Sequence, residues 1–145
     1  MNIPADIHTR VVDLTNAMID AGQSGDTEGA ESLYAELSRY CESVAADGRD
    51  HPFLWETLAD FTDDDRDAIA IYLRALPLAS AADAAEYAAS ICLAVAERHS
   101  NLDEFDVARR YALQAEAFAH NTDDLPLRKI IGQFLQDHAD AADER

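Results

Sequence analysis

The stretch Gly25-Asp26-Thr27-Glu28-Gly29-Ala30-Glu31-Ser32-Leu33-Tyr34-Ala35-Glu36-Leu37 decides how this chain is read. A turn glycine and a capping acid precede Ala30, Leu33, Tyr34 and Leu37, and the same stripe continues through Cys41 and Val44. Steps of three and four put these residues on one face of a helix from Asp26 to about Ala46. Its pattern, Ala30-x3-Tyr34-x2-Leu37, returns as Ala68-x3-Tyr72-x2-Ala75 and as Ala108-x3-Ala112-x2-Ala115, with first alanines 38 and 40 residues apart. A period in that range with two helices per unit is the mark of stacked helical hairpins. A small side chain near the start of the second helix lets the first cross it closely, and the aromatic fills the groove alongside. Packing alone accounts for the motif.

Outward from these helices, the rest of the chain also reads as helix, with no strand-like alternation. A first helix from Pro4 to Ala21 carries Ile7, Val11, Leu14 and Met18, with Gly22 suited to its C-terminal cap. The segment Asp47 to Pro52 breaks the pattern. A third helix is expected from Pro52 to near Phe61, and a fourth from Asp64 to Leu76, ending before Pro77. Ser80 is suited to cap a fifth, carrying Tyr87, Ile91, Cys92 and Val95 towards His99. A sixth follows with Phe105 to Phe118, and a seventh with Leu127 to Leu135. The tail from about Ala139 to Arg145 has too little apolar content to be held well. Trp55, Tyr34, Tyr72 and Phe105 are expected in the core, and Cys41 and Cys92 as buried, reduced thiols.

The turn Gly25-Asp26-Thr27-Glu28-Gly29-Ala30, preceded by Leu14, Ala17, Met18 and Ala21, resembles the tetratricopeptide repeat. Trp55-x2-Leu58-Ala59 is similar to that family's Trp-x2-Leu-Gly, although Asp63-Asp64-Asp65 stands where a glycine is expected and the turn is about three residues short. The third unit keeps Asp103-Glu104-Phe105 and Ala108. The likeness covers roughly Val11 to Ala119. It implies an all-α domain over residues 1–145: a short right-handed solenoid of about three hairpins, closed by a polar-faced C-terminal helix. It further implies that partners bind the face formed by the first helices of each pair.

Across its 145 residues the chain has 29 acidic and 11 basic residues, a net charge of −18. Such a surface repels nucleic acid and anionic lipid, which argues against both as partners. The 48 % hydrophobic content is too high for a disordered acidic tail. The N-terminus lacks the basic start and apolar run of a secretory signal, and uncharged stretches are about half the length that crosses a bilayer, so a cytoplasmic location is expected.

Local signatures of catalysis, phosphate cradling or metal ligation are absent, so neither an enzymatic activity nor a cofactor is expected. His8, His51, His99, His120 and His138 read as helix-end or flank residues that favour a helix C-terminus when protonated. The acidic run from Asp60 to Asp67 matches a calcium loop only in composition. Aspartates before the fourth helix, together with Asp26, Asp50, Asp103, Asp123 and Asp124, read as helix caps.

Capping does not remove charge, so a negative field remains for a basic protein partner. The partner face is expected on the first helices of units two and three, at Glu56, Asp60, Asp63, Asp64, Asp65 and Glu97, with Asp20 from unit one. The most concrete form is an immunity protein or antitoxin neutralising a basic toxin, often a nuclease. The alternative is a generic scaffold or secretion-type chaperone, its acidity reflecting a high-salt or high-GC background. The sequence leaves the oligomeric state open.

Overall fold

A computed structural model describes residues 2–143, and the ends of the weakly apolar tail, 144–145, lie outside them. Seven helices follow one another: α1 (Ala5–Gln23), α2 (Thr27–Ala46), α3 (Pro52–Asp60), α4 (Asp65–Ala81), α5 (Ala85–Asn101), α6 (Phe105–Ala119) and α7 (Leu125–Asp143). Among the described residues no strand occurs. The helices pack as successive hairpins, α1–α2, α3–α4 and α5–α6, with α4 also against α5 and α7 against α6. This is a stacked-hairpin all-α fold.

The alanine pattern sits where helices meet. Ala68, Ala75, Ala108, Ala112 and Ala115 are fully buried, whereas Ala30 on α2 is only half-buried. One core joins α1 to α5 through Ile7, Val11, Leu37, Leu54, Trp55 and Ile91; a second joins α5, α6 and α7 through Cys92, Ala115 and Ile131. Trp55 and Tyr72 are buried as expected, and Tyr34 and Phe105 half-buried. Both cysteines are free and buried, and burial pushes the Cys41 thiol up to about 12 and Cys92 up to about 11.

Four of the interhelix turns repeat one geometry. Each helix end pairs an amide with a carbonyl five residues back and the preceding amide with one three back: Asp26 to Ala21 and Gly25 to Gly22, then Arg49 to Val44, Ala84 to Ala79 and Glu104 to His99. This arrangement puts one residue in the left-handed region. Gly25 and Gly48 occupy it at φ 77°, but Asp83 and Asp103 do so at φ 55° and 60°. The α3–α4 turn, where the aspartates stand, lacks that residue.

These caps correct several expectations. The α1 cap is Gly25 rather than Gly22, which lies inside the helix. Helix α4 runs through Pro77 to Ala81, because Pro77 sits on the exposed face, where the freed carbonyl of exposed Leu73 can be hydrated. Ser80 is thus in α4, and α5 starts after Ala84 with no side-chain cap. Asp103 closes α5 instead of capping α6. Asp26, Asp64 and Asp124 do cap, accepting from Gly29, Asp67 and Leu127 amides, whereas Asp50 serves His51 and Trp55. Helix α7 continues past Ala139 to Asp143, and its outer face exposes Leu125 and Ile130 among polar residues.

An L-residue held left-handed costs about 1 kcal/mol relative to glycine. Asp83→Gly and Asp103→Gly are therefore expected to raise stability by about 0.5–1 kcal/mol each, and Gly25→Ala to lower it by about 1 kcal/mol, measured by urea unfolding.

Candidate functional site

The first helices of the hairpins lie side by side. On α1, His8 stacks on Phe53 of α3, with ring centroids 5.8 Å apart, and the Ser90 hydroxyl of α5 donates to Glu56 Oε2 of α3 at 2.7 Å. Glu56 and Asp60 are four residues apart on α3, and Ser90 and Glu97 seven apart on α5, so each pair shares a helix face. The α3–α5 seam thereby gathers three carboxyl groups: Glu56, Asp60 and Glu97.

The environment disfavours their charge unequally, because Glu56 is half-buried whereas the side chains of Asp60 and Glu97 remain exposed. Burial between the helices pushes Glu56 up to about 7; the Ser90 hydroxyl opposes that rise and the Asp60 carboxylate adds to it. Asp60 is raised by partial desolvation at its helix wall, against the Tyr72 hydroxyl, which donates to its Oδ1, and against the charge of Arg98. Glu97 is raised by the same loss of water and then by Asp60, with Arg98 opposing. Arg98 offsets the charge of Asp60 and Glu97 only from a distance, because its own bonds go elsewhere. Its guanidinium bonds Asp65 Oδ1 at 3.2 Å and the carbonyls of Ala59 and Asp63 at 3.2 and 3.3 Å, tying α5 to the end of α3.

Elsewhere four arginines are matched individually: Arg10 with Glu36, Arg49 with Asp6, Arg66 with Glu104 and Arg74 with Glu42. Among the described residues no ion pair reaches Glu56 or Glu97.

Three of the seven carboxylates expected at the partner face thus converge. Asp64 is occupied as the α4 cap, Asp65 holds Arg98 and the Asn101 amide, and exposed Asp63 gives Arg98 its carbonyl. Asp20 stands on the exposed side of α1, outside this group. Sequence reading missed Ser90 and Arg98, and took Tyr72 for core alone. The spacing of Ser90 and Glu97, on one face of a first helix, is the signal that could have found them.

The histidine expectation needs correcting too. His51 and His99 are buried. His51 caps α3 as an acceptor, its Nδ1 taking the Phe53 amide at 3.0 Å, and burial lowers its pKa, so it works as the neutral ring. His99 stacks on Tyr111 and bonds Glu104. Among the described residues no group of three or more histidine, cysteine or acidic side chains is placed to hold a metal ion, and no helix is long and apolar enough to cross a membrane.

Compared with protein families, with characterised proteins and with solved structures, the chain matches none.

Glu56 releases its proton near pH 7 when folded and near 4.5 when unfolded, so the folded state binds more protons between those values. Stability from this group falls as pH rises through that window. Glu56→Gln keeps a partner for Ser90 and carries no charge; it is expected to raise stability by about 1–3 kcal/mol at pH 8 and change it little at pH 4, by urea unfolding at both.

Proposed function

We propose that the chain is a non-catalytic protein-binding module of the tetratricopeptide-like class, whose α3–α5 seam docks a basic protein partner. In its most concrete form it is an immunity protein or antitoxin that covers a basic toxin domain such as a nuclease. The observation that carries this reading is the convergence of Glu56, Asp60 and Glu97 with no cation bonded to Glu56 or Glu97. Ionised Glu56, which has lost water and is repelled by Asp60, raises the free energy of the unbound surface, and Glu97 is repelled by the same Asp60. A lysine or arginine brought by a partner removes that cost and completes the charge balance.

The net charge of −18 speeds encounter with a cationic surface and rejects anionic ones. The seam then supplies specificity, because its carboxylates sit at fixed spacing on packed helices rather than on loops. A partner cation must bind the ionised form, so association releases protons and weakens as the solution becomes more acidic than pH 7.

A short alternating arginine–lysine peptide, titrated calorimetrically, tests this reading. Glu56→Gln, Asp60→Asn and Glu97→Gln together are expected to weaken it by about tenfold or more, while Asp13→Asn, Glu28→Gln and Glu86→Gln, the same change in net charge, cost about twofold or less. Wild-type affinity is expected to fall steeply with added salt and between pH 8 and pH 5. Equal losses in the two triple variants would mean that net charge alone attracts the peptide, and would overturn the assignment of the seam.

A further inference from the structure

A second cleft lies beside the seam, between the end of α1, the start of α2 and the α3–α4 turn. It has a volume of about 430 Å³. Met18, Ala30, Tyr34 and Phe61 form its apolar and aromatic lining, and Glu31, Asp63, Asp64 and Asp67 its rim. The Tyr34 ring is fixed: its hydroxyl shares a 2.7 Å bond with Thr62 Oγ1, which donates in turn to the Leu58 carbonyl at 2.8 Å. At the helix starts around the cleft, Asp26 and Asp64 each take one free amide, of α2 and α4 respectively. Asp67 lies in the first turn of α4 and Glu31 beyond the first turn of α2, so Glu31 in particular adds negative charge that no helix start offsets.

The chain itself displays what such a combination holds. On the neighbouring α2–α3–α4 surface, the Arg74 guanidinium lies 3.5 Å from the Trp55 ring centroid and bonds Glu42 with both nitrogens, at 2.8 and 3.3 Å. An aromatic face with a carboxylate at its edge suits a guanidinium, which is planar, weakly hydrated and able to stack and bond at once. The cleft presents the same two elements, Tyr34 and Phe61 with Glu31 and Asp67, and among the described residues no arginine is in its lining. A small hydrated metal ion gains nothing from the aromatic lining, and an uncharged aliphatic side chain leaves the rim unpaired.

We propose that this cleft is an arginine-binding pocket that takes one arginine side chain of the basic protein partner. The identity of the partner rests on the function proposed above; the chemistry of the pocket does not. The pocket adds to the specificity of the seam by selecting arginine over lysine at one position.

The test titrates N-acetyl-arginine amide, and separately its uncharged isostere N-acetyl-citrulline amide, into isotope-labelled protein followed by amide NMR. Saturable shifts at Thr27, Ala30, Glu31, Thr62, Asp63 and Asp67 are expected with the arginine compound, at least about tenfold weaker with citrulline and several-fold weaker with N-acetyl-lysine amide. Glu31→Gln with Asp67→Asn, both at the surface, is expected to weaken binding by about tenfold and leave the spectrum otherwise native; Tyr34→Leu should weaken it with the rim intact. Equal response to citrulline, or shifts that do not saturate and spread over carboxylates at large, would overturn the pocket. That failure would leave the seam standing, because the seam is judged by Glu56, Asp60 and Glu97 with the basic peptide. Loss of the seam result would likewise leave the pocket's own titration unchanged.

Discussion

Close approach of helices through alanine is the constraint on which the molecule rests. Ala68 and Ala75 on α4, Ala88 and Ala89 on α5, and Ala108, Ala112 and Ala115 on α6 are buried without exception, so the three helices share contact surfaces that no larger side chain could enter without forcing them apart. Because α4 and α6 hold α5 so closely, α5 also reaches α3 on its other side. The Ser90–Glu56 bond and the Arg98 contacts to the end of α3 are consequences of that spacing. The convergence of carboxylates is therefore a packing result with an electrostatic outcome. The helices are held by apolar contact, and the charges are carried into proximity whether or not they favour it.

That ordering explains a tension in the structure. Loss of water raises the free energy of ionised Glu56, which is half-buried, and acts in part on Asp60 and Glu97, which stay exposed; yet among the described residues no arginine pairs with Glu56 or Glu97, and Arg98 bonds Asp65 and two backbone carbonyls instead. At the same time Arg49 and Arg74 form well-made pairs with exposed carboxylates, where such pairs contribute little to stability. Stability alone would distribute these cations differently. The docking of an external cation proposed above is consistent with this distribution and with the acidic rim of the aromatic cleft.

Much of the fold was legible in the sequence because it depends on short-range periodicity. Apolar spacing gave the seven helices, and the alanine pattern gave the hairpins. What the sequence concealed was backbone detail set by tertiary context. Pro77 is an ordinary helix stop in isolation, but on an exposed face its cost is met by solvent. Asp83 and Asp103 carry no glycine signal, yet the chain takes them left-handed at helix ends. The site was half legible for a similar reason. Acidic residues on first helices were visible, but Asp60 and Asp65 are indistinguishable as letters; only the fold shows that one faces the seam and the other holds Arg98. Ser90 and the Tyr34–Thr62 pair became visible only when non-adjacent helices were placed together.

The central claim is that packing forces Glu56 into a desolvated seam with other carboxyl groups. Its most direct measurement is a titration of the Glu56 side-chain carboxyl by carbon-13 NMR in the intact protein. The account predicts a midpoint near 7, as burial and the Asp60 carboxylate require. A midpoint at the ordinary glutamate value of about 4.5 would place Glu56 in open water and contradict the seam.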